Sequence, residues 1–296
     1  MTKLKGDILL VPTDFTPVAD CAIDHAIEIA KLFELKICLL HIVRKNVSLS
    51  TRKEVETKLM RISAGFTKSS GINISYKVQE GSIFDEISKT ADTIKAEFIV
   101  MGIHGRQGVQ HLLGSYAYKV ISSTNVPVIV VKNRHHHEGY NNIVVPVDLN
   151  FDSTKTVNNA IKFAKLFNSV VHVIGVLQSG SSVTRINKKV LIKKISDCIT
   201  SKSVKVKAEI LLKRNSEVSE KVLEYADSIE ADLVMIVAEK GGSFSGLFGR
   251  NYAEQIIDKA EMPVLAIVPT DNYDDEIDVY GFQSFIDPLG LIDKTG

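Results

Sequence analysis

A chain of 296 residues, 45% apolar and 24% charged, has the make-up of a soluble globular protein with room for two domains. Its 36 basic and 35 acidic side chains leave a formal charge of +1, which argues against a dedicated nucleic-acid binder with its basic excess. No run of about 18 apolar residues offers a membrane span, and Cys21, Cys38 and Cys198 are too scattered for a disulfide framework or a CxxC metal site.

The opening MTKLKGDILLVPTD turns acidic after a short apolar run, unlike a secretory leader, so a cytoplasmic location with reduced thiols is expected. Ile8–Val11 is a continuous apolar run, the pattern of a strand buried on both faces. Thr16 and Pro17 follow as helix N-cap and first helical residue. Ala22, Ile23, Ala26, Ile27 and Ala30 form an apolar stripe at helical spacing. The pattern predicts a second strand at Ile37–Val43, a lysine-rich helix over 51–69, a third strand at Ile74–Gln79 and a helix from a Ser82 cap through Ala96. Phe98–Gly102 reads as a fourth strand, Tyr116–Ser123 as a helix and Pro127–Val131 as a fifth strand. The succession then returns, with strands near 143–147, 171–176, 206–212, 232–237 and 263–268. Its helices fall near 153–167, 184–201, 217–230 and 251–260.

The return is an internal repeat. ILLVPTD at 8–14 matches IVVPVD at 143–148, with Pro12 and Pro146 134 residues apart. The segment from Phe98 to Gly105 aligns with Leu233 to Gly241, at an offset of 136 at the final glycine, and Asn125–Val131 aligns with Glu261–Ile267, again at 136. The repeat divides the chain into a first domain at 1–133, a polar linker at 134–142 and a second domain at 143–270. A tail at 271–296, with seven acidic groups and one lysine, is expected to be loosely ordered. Strands joined by helical crossovers make each copy an open, parallel α/β sheet with helices on both faces. Ligands of such sheets sit beyond the carboxyl ends of the strands, where strand order reverses.

Two strand ends carry suitable chemistry. Asp14, after the first strand, offers a carboxylate to ribose hydroxyls or an adenine amino group; it also suits a turn cap. After the fourth strand comes GIHGRQGVQHLLGS at 102–115, four glycines that open a helix. Such a loop lets backbone approach a phosphate, and the helix start adds free N–H groups.

PTDF, ICLLHIV, MGIHGRQGVQHLLGS and NVPVIVV together resemble the universal stress protein family, and the likeness runs through nearly the whole chain twice. The resemblance implies two tandem five-stranded domains of the adenine nucleotide alpha hydrolase-like fold. Many such proteins bind ATP through a G-x2-G-x9-G-[ST] loop. On that pattern Asp14 lies near the ribose, the Ile42 backbone meets adenine, and Gly102, Gly105, Gly114 and Ser115 hold the phosphates. Here eight residues, not nine, separate Gly105 from Gly114. The resemblance also implies that the fifth strands pair, making the two copies an intramolecular pseudo-dimer; assembly of two chains stays open.

In the second copy Asp148 and Val176 stand for Asp14 and Ile42, and Ala238 stands in place of the first loop glycine. Seven residues separate Gly241 from Gly249, and Arg250 replaces the serine, with Lys240 and Arg250 left to hold an anion by charge. A degenerate second site is expected. The lysines of 184–207 read as a solvated helix face. His135, His136 and His137 read as a solvated linker run rather than a metal site. No GxxxxGK[ST], GxGxxG after a strand, GxSxG or HExxH occurs, so an enzyme is the weaker class. The expected function is a stress-response regulator binding ATP, with Mg2+, in its first domain. A nucleotide-independent interaction scaffold and a weak ATPase are the alternatives; the protein partners are not named by the sequence, and no nucleic acid or membrane partner is expected.

Overall fold

The computed structural model describes residues 6–103, 114–132, 139–148, 153–178, 182–213, 217–238 and 250–268, without the side chains of 114, 115, 178, 182–184, 250 and 251. The first copy runs β1 (Ile8–Pro12), α1 (Pro17–Phe33), β2 (Lys36–Val43), α2 (Leu49–Ser70), β3 (Ile74–Glu80), α3 (Ile83–Thr93), β4 (Phe98–Gly102), α4 (Gly114–Ser123) and β5 (Val128–Val131). The second runs β6 (Asn142–Val147), α5 (Thr154–Phe167), β7 (Val170–Gln178), α6 (Ser182–Ser201), β8 (Lys205–Lys213), α7 (Val218–Ser228), β9 (Leu233–Val237), α8 (Arg250–Lys259) and β10 (Val264–Ile267). The His135–His137 run and the acidic tail lie outside the described residues.

The expectation of two five-stranded sheets is met with one difference: they are halves of a single ten-stranded sheet, ordered β3-β2-β1-β4-β5-β10-β9-β6-β7-β8. Within each half all pairings are parallel. At the centre β5 and β10 pair antiparallel, Val264 opposite Val130 and Ala266 opposite Val128. All four residues of β5 and of β10 are buried. Left at an edge, such apolar strands would invite association; pairing them with each other removes both edges.

Two helical layers cover the sheet. One core joins the sheet to α1, α2, α5 and α6, through residues such as Ile23, Leu59, Phe163 and Ile195. The other joins it to α3, α4, α7 and α8, through Ile87, Val120, Val222 and Ile256. Aromatic side chains lock the copies together: the Phe163 ring lies 5.3 Å from that of Phe33 and 5.6 Å from that of Phe98. His25 Nε2 pairs with the Tyr140 hydroxyl, and Lys132 Nζ donates to the Asp258 and Ala260 carbonyls at the end of α8. A cation there meets the negative end of the helix dipole.

The repeat is not exact at the first helix. α1 and α5 end alike, on Glu34 and Asn168 in the left-handed region with φ of 55° and 54°. α1 has 17 residues and α5 has 14, so α5 begins three residues later relative to that shared end. Among the described residues no helix is long and apolar enough to cross a membrane.

Candidate functional site

Strand order reverses between β1 and β4, and a cleft opens there at the carboxyl ends of β1, β2 and β4. Asp14, Ile42 and Gly102 all line it. The structure thus brings together three of the six residues singled out from the sequence. Gly105 lies outside the described residues. Gly114 and Ser115 open α4, whose amino end lies at the same edge of the sheet because α4 carries the chain back from β4 to parallel β5. Four walls come from residues the sequence reading did not assign to the site: Ile83 and Ile87 of α3, Met101 of β4 and Val120 of α4. Ile83 and Ile87 are one helical turn apart in a helix that starts directly after β3, which is the signal that marks them as facing one surface.

The β1 end is built by short-range hydrogen bonds. Thr13 N donates to the Leu40 carbonyl at 2.8 Å, carrying the ladder one residue past β1. Phe15 takes a left-handed φ of 64° and turns the chain out of the sheet, its N–H donating to Thr13 Oγ1 at 3.1 Å. Asp14 Oδ1 then accepts from Thr16 N at 3.1 Å and from the Thr16 hydroxyl at 2.5 Å. The turn-cap role of Asp14 is therefore real. Thr16 holds the N-cap position expected of it, with Pro17 after it, yet its hydroxyl is spent on Asp14 and does not cap the helix. The Asp14 side chain remains exposed at the cleft mouth.

His41 braces this turn. Its Nδ1 meets the Thr13 carbonyl at 2.8 Å, and since a carbonyl only accepts, the proton sits on Nδ1. The ring stacks on Phe15 with centroids 4.5 Å apart, and Lys58 Nζ lies 4.1 Å from the Phe15 centroid. Burial holds the imidazole below its ordinary pKa, against the opposing pull of the Thr13 carbonyl and the Asp14 charge. The neutral ring is the form that fits.

Gly102 has a structural reason to be glycine that needs no ligand. A Cβ there would meet the Val18 carbonyl oxygen at 2.4 Å. The first turn of α1 lies directly on the end of β4, which places the start of the helix against the cleft.

A family model described as the universal stress protein family matches residues 7–132 and again 139–268. The chain belongs to the universal stress protein family. Universal stress protein MJ0531 of Methanocaldococcus jannaschii is 31% identical over 138 residues, which is 42% of this chain and 81% of that protein. A crystal structure of a universal stress protein from Archaeoglobus fulgidus DSM 4304 has a TM-score of 0.73 at 19% identity, covering 89% of this chain and 99% of that one. A structure of the universal stress protein from Archaeoglobus fulgidus in complex with dAMP covers 43% of this chain and 98% of its own, at 24% identity and a TM-score of 0.37.

The second universal stress protein repeat differs from the first in ways that correct two readings. Ladder register pairs Gly102 with Val131 and Val237 with Ile267, while Ile103 N and Ala238 N donate to the carbonyls of those same two residues. The residue in place of Gly102 is thus Val237, and Ala238 takes the place of Ile103. Offsets counted across two glycine loops of unequal length misplace it by one residue.

The lysines of 184–207 also depart from expectation. Lys188 is not on a solvated face: it is 2% exposed. Its Nζ lies 3.4 Å from Asp148 Oδ1 and donates to the Val176 carbonyl. Asp148 is 3% exposed, where Asp14 is open to solvent. Burial and the Asp148 charge together push the Tyr252 hydroxyl well above its ordinary pKa. Lys240, Gly241 and Gly249 lie outside the described residues, as does the side chain of Arg250.

Proposed function

We propose that the first repeat binds an adenine nucleotide, ATP carried with Mg2+, and that the protein serves as a nucleotide-responsive regulatory module rather than a catalyst. The observation that supports this reading most is the convergence of Asp14, Ile42 and Gly102 on one cleft at the point where strand order reverses. The cleft suits adenosine in its chemistry. Leu40, Ile42, Ile83, Ile87, Met101 and Val120 give apolar walls for a base. The backbone at Ile42 can meet the edge of that base, and the exposed Asp14 carboxylate can accept from ribose hydroxyls. Phosphates then run toward Gly105, Gly114 and Ser115, where the amino end of α4 offers free N–H groups and a positive dipole end. Mg2+ keeps most of its water and rides on nucleotide phosphates in such sites, so it asks for no dedicated cage of carboxylates.

His41 acts as a positioning residue in this reading. It fixes the Thr13 carbonyl and the turn that presents Asp14, and it does so in its neutral form.

The test is a titration of the purified chain with ATP and Mg2+ by calorimetry, preceded by mass spectrometry of any small molecule released on denaturation. One equivalent of adenine nucleotide per chain, lost in Gly114→Arg while the fold is kept, is the expected result. No heat at millimolar ATP would move the reading to the nucleotide-independent scaffold.

A further inference from the structure

The second repeat carries a buried ion pair at the place where the first repeat carries an open cleft. Asp148 follows β6 as Asp14 follows β1, and Val176 lies in β7 as Ile42 lies in β2. These are the two groups assigned to adenosine in the first repeat, a carboxylate and a backbone edge. In the second repeat both are held by one side chain: Lys188 Nζ lies 3.4 Å from Asp148 Oδ1 and donates to the Val176 carbonyl.

The sequence has made room for that side chain. Gly175 takes the place of His41, 134 residues on. A Cβ at Gly175 would meet Ile192 Cδ1 at 2.7 Å and Lys188 Cδ at 3.9 Å. Loss of the imidazole therefore lets α6 settle onto β7, and the Lys188 stem passes over the glycine to the strand ends. An ammonium has three donors and no acceptor, so it can satisfy a carboxylate and a carbonyl together, as the hydroxyl and amino donors of a nucleoside would. Burying the two charges is tolerable only because they are paired and hydrogen-bonded.

We infer that Lys188 is a built-in occupant of the second adenosine cleft, bonding Asp148 and Val176 in place of a ligand, and that it sets the chain to one nucleotide rather than two. The inference rests on the reading of the first cleft as an adenosine site. It assigns the loss of the second site to an added side chain at the nucleoside end, independent of the glycine loop. Adenosine, which needs no phosphate loop, is therefore the ligand that distinguishes the two causes.

Two measurements test it. Adenosine binding is measured by equilibrium dialysis in Asp14→Ala, which closes the first site, and in Asp14→Ala with Lys188→Ala. The first variant should bind none and the second one equivalent; Lys188→Met, which keeps the stem, should bind none in the same background. A folded double variant that binds no adenosine overturns the inference when the native chain binds one equivalent that Asp14→Ala abolishes. A native chain that binds no adenosine refutes the first-cleft reading instead, and the second measurement then decides on Lys188. That measurement is reductive methylation of the native protein, mapped by mass spectrometry with and without ATP and Mg2+. Lys188 should stay unmodified in both while exposed Lys189 and Lys193 react. Methylation of Lys188 at the rate of its neighbours, or its exposure by ATP with two equivalents bound, overturns the inference whatever the variants do.

Discussion

A methyl group on Gly102 would sit 2.4 Å from the carbonyl oxygen of Val18 and 2.8 Å from its carbonyl carbon. Contacts under 3.0 Å are essentially never seen for a real Cβ, and the obstacle is helix backbone, which cannot swing aside as a side chain does. Gly102→Ala must therefore lift the first turn of α1 away from β4. The expected cost is about 1–3 kcal/mol of stability, the range for overpacking a close-packed interior. Nucleotide affinity should fall with it, since the same turn borders the cleft. Urea denaturation of the variant checks this; an unchanged midpoint would show that Gly102 is kept for the ligand alone.

Asp14 serves two masters, and substitution can separate them. Its Oδ1 accepts from Thr16 N and the Thr16 hydroxyl, a bond an asparagine oxygen also makes. Asp14→Asn should thus hold stability within about 0.5 kcal/mol, as surface changes do. It removes the charge offered to ribose, and hydrogen bonds to charged groups contribute about 1.5–3 kcal/mol, so ATP affinity should drop roughly 10- to 100-fold. Asp14→Ala loses the turn bond as well and should cost about 1 kcal/mol of stability in addition, the usual cost of a lost cap. Calorimetric titration and denaturation on the two variants give the split. Equal affinity for Asp14→Asn and the native chain would remove Asp14 from the site.

The order of strands and helices was legible because strands buried on both faces read as unbroken apolar runs, and the first strand of each copy announces itself with the same proline and aspartate. Ends were less legible. The helix expected to run through Ala96 stops at Thr93, because Lys95 takes a left-handed φ of 51° and Ala96 N donates to the Ala91 carbonyl. Asp14 and Gly102 were found because one follows and the other ends a strand; Ile42, one residue before the end of β2, came from the family resemblance alone. Lys188 was hidden among exposed lysines of the same helix; a single buried lysine leaves no mark in a charge pattern. Its signal lay on another element, in a glycine at 175 where the first copy has histidine. Val237 was missed for a different reason, since ladder register, and not loop glycines, fixes which residues correspond.

The two repeats should unfold as one body. Phe163 of the second is fully buried against Phe33 and Phe98 of the first, and β5 and β10 share one ladder. Phe163→Ala should cost about 3–5 kcal/mol. Because the lost contacts join both halves, the midpoint should shift for both together. Hydrogen exchange followed by mass spectrometry at increasing denaturant reads the halves separately. Loss of protection in the second repeat while the first stays closed would show two independent domains.

Stability should decline on mild acidification, and buried imidazoles give the sign. His41 and His172 both have pKa values lowered from 6.5, in each case mainly by burial. The unfolded chain then takes up protons near pH 6.5 that the folded chain refuses. Their contribution is present above pH 6.5 and is lost as pH falls through that value toward the lowered one. His172 is the cleaner probe. It is 1% exposed, its Nε2 faces Asn142 Oδ1 at 3.3 Å and its Nδ1 faces the Tyr225 hydroxyl at 2.9 Å. The amide oxygen only accepts, so Nε2 holds the proton and Nδ1 of the neutral ring receives the Tyr225 hydrogen; a second proton on Nδ1 would force that bond to reverse, the Tyr225 oxygen then accepting. Lys207 adds repulsion to the charged ring. Asp20, whose pKa is raised by burial, works in the opposite direction, so the comparison must be between variants and not between absolute values. Urea denaturation at pH 7.5 and 5.5 should show the native chain losing stability and His172→Gln losing less. An equal loss in both would mean that the His172 proton uptake is the same folded and unfolded.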